Sequence, residues 1–259
     1  MTQGRTRGKT ILLAGATGPI GRATAAQLAP GNTLLITGRN PDRLSELVAD
    51  LESRGATDVV PLTIDLAETD AFQILFAQVQ EHCGAVEILV NCSGGWQGHT
   101  PGDFLLKTHQ ELRQEIEANL VWPTLLSQGV LTGMVDRGSG RIVHVSSVAG
   151  AIGLIGHAAY SGAKAGVTGL VRQLAMEFGE SGITANAVAP RPVDTPGPGA
   201  CSRAGIPGWR QCSPGRRIIS WPSPPRSRHS SSSWFPMWPG TSTARRSSST
   251  GHGLQLMLG

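Results

Sequence analysis

The chain has 259 residues, 39% hydrophobic with 34 glycines, which is enough for one substantial core and suits a single α/β domain. Its net charge of +4 hides two unlike parts: residues 196–259 hold eight arginines and no Asp, Glu or Lys, leaving the first 195 residues at −4, so the basic balance does not point to nucleic acid. No run approaches the roughly 18 apolar residues of a membrane span, the polar start Met1 to Thr10 has no leader-like apolar stretch, and Cys83, Cys92, Cys201 and Cys212 lack metal-ligand spacing. These features predict a cytoplasmic protein with free thiols, no metal site and no membrane contact.

From Thr10 to Ala189 short β-branched runs alternate with longer amphipathic segments. Strands are predicted at Thr10 to Ala14, Thr33 to Thr37, Val59 to Thr63, Val86 to Asn91, Gly140 to Val145 and Thr184 to Ala189. Leu44, Leu47, Val48 and Leu51 fall at helical spacing after Asn40-Pro41, as do Ile74, Leu75, Gln78 and Val79 after Thr69. Six strands with crossover helices predict a doubly wound parallel sheet of Rossmann type, with its ligand beyond the carboxyl ends of the strands.

The first strand runs into Ala14-Gly15-Ala16-Thr17-Gly18-Pro19-Ile20-Gly21-Arg22, a glycine-rich turn opening a helix, where backbone amides and the helix N-terminus face a pyrophosphate. A purely structural turn has the same look. The second strand ends Thr37-Gly38-Arg39-Asn40, with arginine where an acidic residue would hold the ribose hydroxyls of NAD; arginine suits a 2′-phosphate, and Arg22 and Arg43 add positive charge, although solvated arginines at helix starts would read alike. Tyr160 and Lys164 stand one helical turn apart, Ser147 lies 13 residues upstream at a strand end, and Asn119 lies 28 residues before Ser147.

Together these motifs resemble the short-chain dehydrogenases/reductases, whose glycine pattern is T-G-x-x-x-G-x-G and whose Asn, Ser, Tyr and Lys tetrad has this order and spacing. Gly15 and Gly21 match the first and last glycines; Pro19 occupies the middle one and Ala14 the threonine. Proline is tolerated at a first helical position, though it removes one phosphate donor. Asn91-Cys92-Ser93-Gly94 stands at the family's N-N-A-G. Asn186 to Thr195 resembles the N-x-x-x-P-G segment, with Arg191 in place of the glycine. The resemblance implies NADP(H) held by Gly15, Thr17, Ile20, Gly21, Arg39, Asp65, Asn91, Gly94, Lys164, Pro190, Val193 and Thr195, with Asp65 equally fit to cap the next helix.

The implied reaction is reduction of a ketone to a secondary alcohol, or its reverse, with hydride moving to or from the nicotinamide. Tyr160 is the expected proton donor, and a neighbouring Lys164 ammonium is expected to lower its phenol pKa by roughly 1 to 3 units from about 10. Ser147 would hydrogen-bond the substrate oxygen. By resemblance, Lys164 also holds the nicotinamide ribose, and Asn119 supports a water-linked proton path to Lys164. Trp96, Gln97, His99, Ile155, Gly156 and His157 are expected around a small-molecule carbonyl or alcohol substrate, with Trp96 and His157 as its contacts, or else are ordinary loop surface. The family implies a homo-oligomer. Pro19, Arg191 and the altered tail leave a second reading, a protein that binds cofactor without turnover.

Residues 196–259 form a separate compositional unit of 13 serines, nine prolines and four of the six tryptophans, without valine. Ordinary disorder is poor in tryptophan. A shifted reading frame accounts for it. Joining the third base of each codon to the first two of the next turns TCN serine codons into NTC, which encodes Phe, Leu, Ile or Val. Arg246 to Gly251 then can read F-V-V-D-G, and Pro224 to His229 P-A-E-V-A-A, resembling the family's closing segments. In this frame the sequence lacks the family's last helix and seventh strand, leaving the sixth strand as an edge.

Overall fold

The computed structural model describes residues 6–56, 58–95 and 102–191. Six parallel strands run β1 Thr10–Ala14, β2 Thr33–Gly38, β3 Val59–Thr63, β4 Ile88–Asn91, β5 Gly140–Val145 and β6 Ile183–Val188, in the spatial order β3-β2-β1-β4-β5-β6. The order reverses between β1 and β4, and the crevice at their carboxyl ends is where such a sheet binds ligands. The predicted doubly wound fold is therefore present. Leu12, Leu13, Leu34, Leu35, Ile36 and Leu89 are fully buried, as both-sided packing of a parallel sheet requires.

Seven helices cover the sheet among the described residues: α1 Pro19–Leu28, α2 Pro41–Ser53, α3 Ala71–Cys83, α4 His109–Ile116, α5 Trp122–Arg137, α6 Ala149–Ile152 and α7 Ala158–Phe178. Helix α2 starts as its sequence directs, with Asn40 accepting a hydrogen bond from Arg43 N at 2.9 Å, Pro41 next to it, and Leu44, Leu47 and Leu51 buried. In α3 the inward face is Ala71, Leu75 and Val79, so Ile74, predicted to share it, is instead exposed; Phe72 and Phe76 complete the packing. That helix begins at Ala71 rather than beside Thr69.

Three strands match their predicted bounds. Strand β4 starts two residues later than predicted, although Glu87 already bonds both neighbours, its N–H donating to Thr10 O at 2.9 Å and its carbonyl accepting from Arg141 N at 3.0 Å, while its carboxylate accepts from Lys9 Nζ at 2.8 Å and Thr10 N at 3.0 Å. Strand β6 starts one residue earlier, directly after Gly182 in the left-handed conformation, and ends before Ala189-Pro190, where proline has no N–H for a ladder. Among the described residues β6 is one edge of the sheet, and no described helix is long and apolar enough to cross a membrane.

Candidate active site

At the end of β1 the chain turns through Gly15, with φ +74°, and Gly18 caps α1 with Pro19 in the first helical turn, so the proline takes the place its chemistry tolerates. A Cβ on Gly21 would lie 2.3 Å from Gly15 O, and one on Gly15 would lie 2.6 Å from Ser93 N. Glycine at these positions lets turn, helix and the loop after β4 meet backbone to backbone. They border a cavity of about 390 Å³ whose walls include Gly15, Thr17, Gly18, Arg39, Asp65 and Gly94. Ile20 and Gly21, expected as direct contacts, are not among the described lining residues; Gly21 acts through the close approach it permits.

The cavity fits the dinucleotide that the sequence implies. Its volume lies in the range of roughly 300 to 1,000 Å³ that small-molecule sites occupy, and the α1 N-terminus opens onto it at Gly18. Arg39 is exposed at its wall. Arg43 also lines the wall, donating from Nη2 to Thr17 O at 3.0 Å, whereas Arg22 is turned away to Glu46 at 3.4 Å and to Arg43 O. Asp65 lines the cavity, and its carboxylate accepts from Ala67 N at 3.1 Å in a local turn rather than capping the next helix, whose N-cap is Asp70. Asn91 is buried and shapes the floor, accepting from Ser93 N at 2.9 Å and from Ser93 Oγ. Cys92 lines the cavity with its thiol pushed up to about 11, chiefly by burial, so it is a neutral wall group rather than a nucleophile.

Two residues here escaped the sequence reading. Trp122 lines the cavity at 8% exposure, and its Nε1 has no hydrogen-bond partner among the described residues. Glu115 is buried on α4 one turn before Asn119, a spacing that would have placed the two on one face had α4 been delimited.

Beyond β5 the chemistry-bearing side chains converge. The Ser147 hydroxyl stands close enough to Tyr160 to hold its phenol pKa down against burial, and it accepts from Ala149 N at 3.1 Å. Lys164 is buried at 3% exposure, donates from Nζ to Val145 O at 2.9 Å, and has Nζ 5.7 Å from the Tyr160 ring centre. Ser146 Oγ donates to Lys164 O at 2.8 Å, locking strand end to helix. His157 is buried, with its ring edge-on to Tyr160 at 6.2 Å between centres.

Asn119 sits at 0% exposure in a π-helical turn, Glu117–Val121, between α4 and α5. Its Nδ2 donates to Gly95 O and Glu115 O, each at 2.9 Å, and its Oδ1 accepts from Gly95 N at 2.8 Å. Asn119 therefore clamps the loop after β4. Both of its side-chain donors are engaged, leaving Oδ1 or the main chain of the π-turn for any link to Lys164.

Electrostatics differ from the sequence expectation at one point. The Tyr160 phenol is raised above its usual pKa, because burial and then Glu115 outweigh the Ser147 hydrogen bond, while burial brings Lys164 down to about 8. A lysine that half-loses its proton near pH 8 is not the fixed ammonium that the predicted lowering requires. The pair is instead a neutral phenol ready to donate and an ammonium ready to release a proton. Pro190 lies across from this loop, its carbonyl accepting from Val148 N at 3.2 Å. Trp96, Gln97, His99, Val193 and Thr195 lie outside the described residues.

Comparison with known proteins agrees with the fold. Residues 9–203 match the family model described as short chain dehydrogenase, past the Thr195 limit of the sequence resemblance. The chain is 37% identical over 199 residues to a 3beta-hydroxysteroid dehydrogenase of Mediterraneibacter gnavus, covering 74% of this chain and 69% of the relative. It is 33% identical over 190 residues to a 3-oxoacyl-[acyl-carrier-protein] reductase of Pseudomonas aeruginosa, covering 73% and 75%. An actinorhodin polyketide ketoreductase variant solved with NADPH superposes with a TM-score of 0.68 at 32% identity, covering 73% of this chain and 72% of that one.

Proposed function

The chain belongs to the short-chain dehydrogenase family of NAD(P)-dependent oxidoreductases, and from that premise we propose that it reduces a ketone to a secondary alcohol with NADPH. The observation that carries this reading is the juxtaposition of the Ser147 and Tyr160 hydroxyls beside a buried Lys164. A ketone oxygen between the two hydroxyls meets one donor that stabilises developing charge and one that hands over its proton. NADPH supplies the hydride when bound; Gly15, Thr17, Gly18 and the α1 N-terminus hold its phosphates, and Arg39 pairs with the 2′-phosphate. Tyr160 gives its proton to the new alkoxide, and Lys164, with a pKa of about 8, returns one to the phenolate. Asn119 holds the Gly95 loop against the site and keeps the π-turn open.

The test is NADPH oxidation with a small activated diketone. Tyr160→Phe is expected to abolish it while leaving NADPH binding largely intact, because only the proton donor is removed. NADPH binding with no turnover by the wild-type chain would favour the alternative of a binding protein without activity.

Residues 1–195 are proposed as the catalytic unit and 196–259 as the product of a shifted frame. The relatives support this division: similarity covers about three quarters of this chain. Carbonyl-compound substrates, a cytoplasmic location and a homo-oligomeric state are proposed on the same family grounds.

A further inference from the structure

Strand β5 and the residue after it present two polar side chains, His144 and Ser146, on the face that Ile142 turns to the core. Each pegs the strand to a different helix. Ser146 Oγ donates to Lys164 O in α7 at 2.8 Å. His144, at 0% exposure, reaches α5 instead, with Nε2 2.8 Å from Ser127 Oγ. Ser127 Oγ lies in turn 2.8 Å from Pro123 O in the first turn of α5.

The available protons fix the direction of these bonds. Ser127 has one hydroxyl proton and a carbonyl has none to give, so that proton goes to Pro123 O. His144 Nε2 therefore carries a hydrogen and donates it to Ser127 Oγ, which leaves Nδ1 with a bare lone pair. The opposite tautomer would bury an N–H at Nδ1, which has no hydrogen-bond partner among the described residues. Buried N–H groups without an acceptor are rarer than acceptors without a donor. Burial, and then the Lys164 charge, keep the ring neutral near physiological pH, so the tautomer persists there.

Pro123 is the sensitive point. Having no N–H, it cannot close the helical bond back to Asn119 O, four residues earlier, and the π-turn Glu117–Val121 lies directly before α5. The start of α5 is thus tied to the Asn119 turn less firmly than in an uninterrupted helix. Asn119 in its turn holds the loop after β4, with Oδ1 accepting from Gly95 N at 2.8 Å.

We propose that His144 is a positioning residue for carbonyl reduction: its Nε2–H, through Ser127 Oγ and Pro123 O, fixes the start of α5 on β5 and so sets the π-turn from which Asn119 holds the Gly95 loop. Ser146 holds Lys164 from the same strand face, so β5 keeps Asn119 and Lys164 in register. This rests on the reading of the chain as a ketone reductase.

Two measurements on the full chain test it: steady-state reduction of 2,3-butanedione by NADPH, and amide hydrogen exchange at Gly95 against Leu12 in the core of β1. His144→Phe is expected to lower kcat about tenfold, as a small misplacement of reacting groups does, with KM and NADPH affinity unchanged. Ser127→Ala is expected to do the same, and the double variant no more than either, because both cut one chain of bonds. His144→Gln, whose amide nitrogen reaches the Nε2 position, should keep most of kcat; His144→Asn, one bond shorter, should not. Gly95 exchange is expected to quicken about tenfold more than that of Leu12 in His144→Phe, since the change is local rather than global.

If His144→Phe does not fold, Ser127→Ala and His144→Gln decide the matter. Unaltered kcat in His144→Phe or Ser127→Ala, additive losses in the double variant, equal activity of His144→Asn and His144→Gln, or a rise at Gly95 no larger than at Leu12 would overturn the proposal. A wild-type chain that does not reduce the diketone defeats the reductase reading, and the Gly95 response to His144→Phe then reads the positioning separately.

Discussion

Lys164 buries its ammonium 5.7 Å from the centre of the Tyr160 ring, with Val145 O, 2.9 Å away, as the oxygen it donates to. One main-chain acceptor does not replace full hydration, and the pKa falls to about 8, chiefly by desolvation.

A group whose folded pKa lies below its unfolded value of 10.5 penalises the fold when charged. Stability is therefore expected to be lowest below about pH 8 and to rise between pH 8 and 10.5 as the unfolded chain alone keeps the proton. The full effect is about 3 kcal/mol at most. Lys164→Met should raise the thermal midpoint at pH 7, flatten this rise and remove reductase activity, measured by calorimetric melting at several pH values. A variant no more stable than wild type at pH 7 would contradict the burial cost.

His144 makes the opposite end of the pH range vulnerable. It is fully buried on β5, with Nε2 2.8 Å from Ser127 Oγ, and desolvation, then the Lys164 charge, bring its pKa down to about 3. The neutral ring is compatible with the fold at and above pH 6.5; as pH falls from 6.5 towards 3 the unfolded chain takes the proton first and stability is lost, by up to about 5 kcal/mol. His157, also lowered by burial, acts in the same direction. His144→Leu should reduce the acid-dependent loss seen in urea titrations between pH 6.5 and 4, since Ser127 Oγ keeps its bond to Pro123 O. An unchanged slope would rule out His144 as its source.

Arg39 should set cofactor choice. A charge-assisted contact with a 2′-phosphate is worth roughly 1.5 to 3 kcal/mol, or about tenfold or more in affinity. Titration is expected to show NADPH bound at least tenfold more tightly than NADH, and Arg39→Asp to abolish or reverse that preference. Equal affinities in the wild type would refute the assignment.

The reading frame can be checked at the gene. Resequencing across Pro190 to Gly215 is expected to reveal an inserted or deleted base, after which the codons restore valine and the other apolar residues that 196–259 lack. An intact frame, together with a matching intact mass from an active native protein, would sink the proposal.

Regular elements were legible in the sequence because their signals are local. Strands β1 and β5 end where apolar runs meet glycine or serine, and Asn40-Pro41 starts α2 at its cap. Gly15, Gly18 and Arg39 could be placed at one crevice because the topology brings the first two strand ends together. Long-range placement was less legible. Ile74 suits an apolar helical face as well as Leu75 does, and only the packing direction of α3 separates them. Glu115 looks in sequence like any charged residue of a polar helix. The π-turn that follows it, between α4 and α5, has no sequence signature of its own. The sign of the Tyr160 shift also depended on depth, since burial is a property of the assembled fold.

Glu111 belongs at once to the stability of α4 and to the wall of a cavity of about 490 Å³ between α4 and the segment leading to Tyr160. Its backbone N–H donates to Thr108 Oγ1 at 3.2 Å and its carboxylate accepts from Thr108 N at 2.8 Å, closing a capping box, while Lys107 stands beside it. Replacing it to admit a different substrate would also fray the helix start, at roughly 1 kcal/mol. Ile155, on the opposite wall, is 75% exposed and caps nothing. Divergence of substrate preference within this lineage should therefore run through position 155 more freely than through 111, with one wall of the pocket drifting while the other stays fixed.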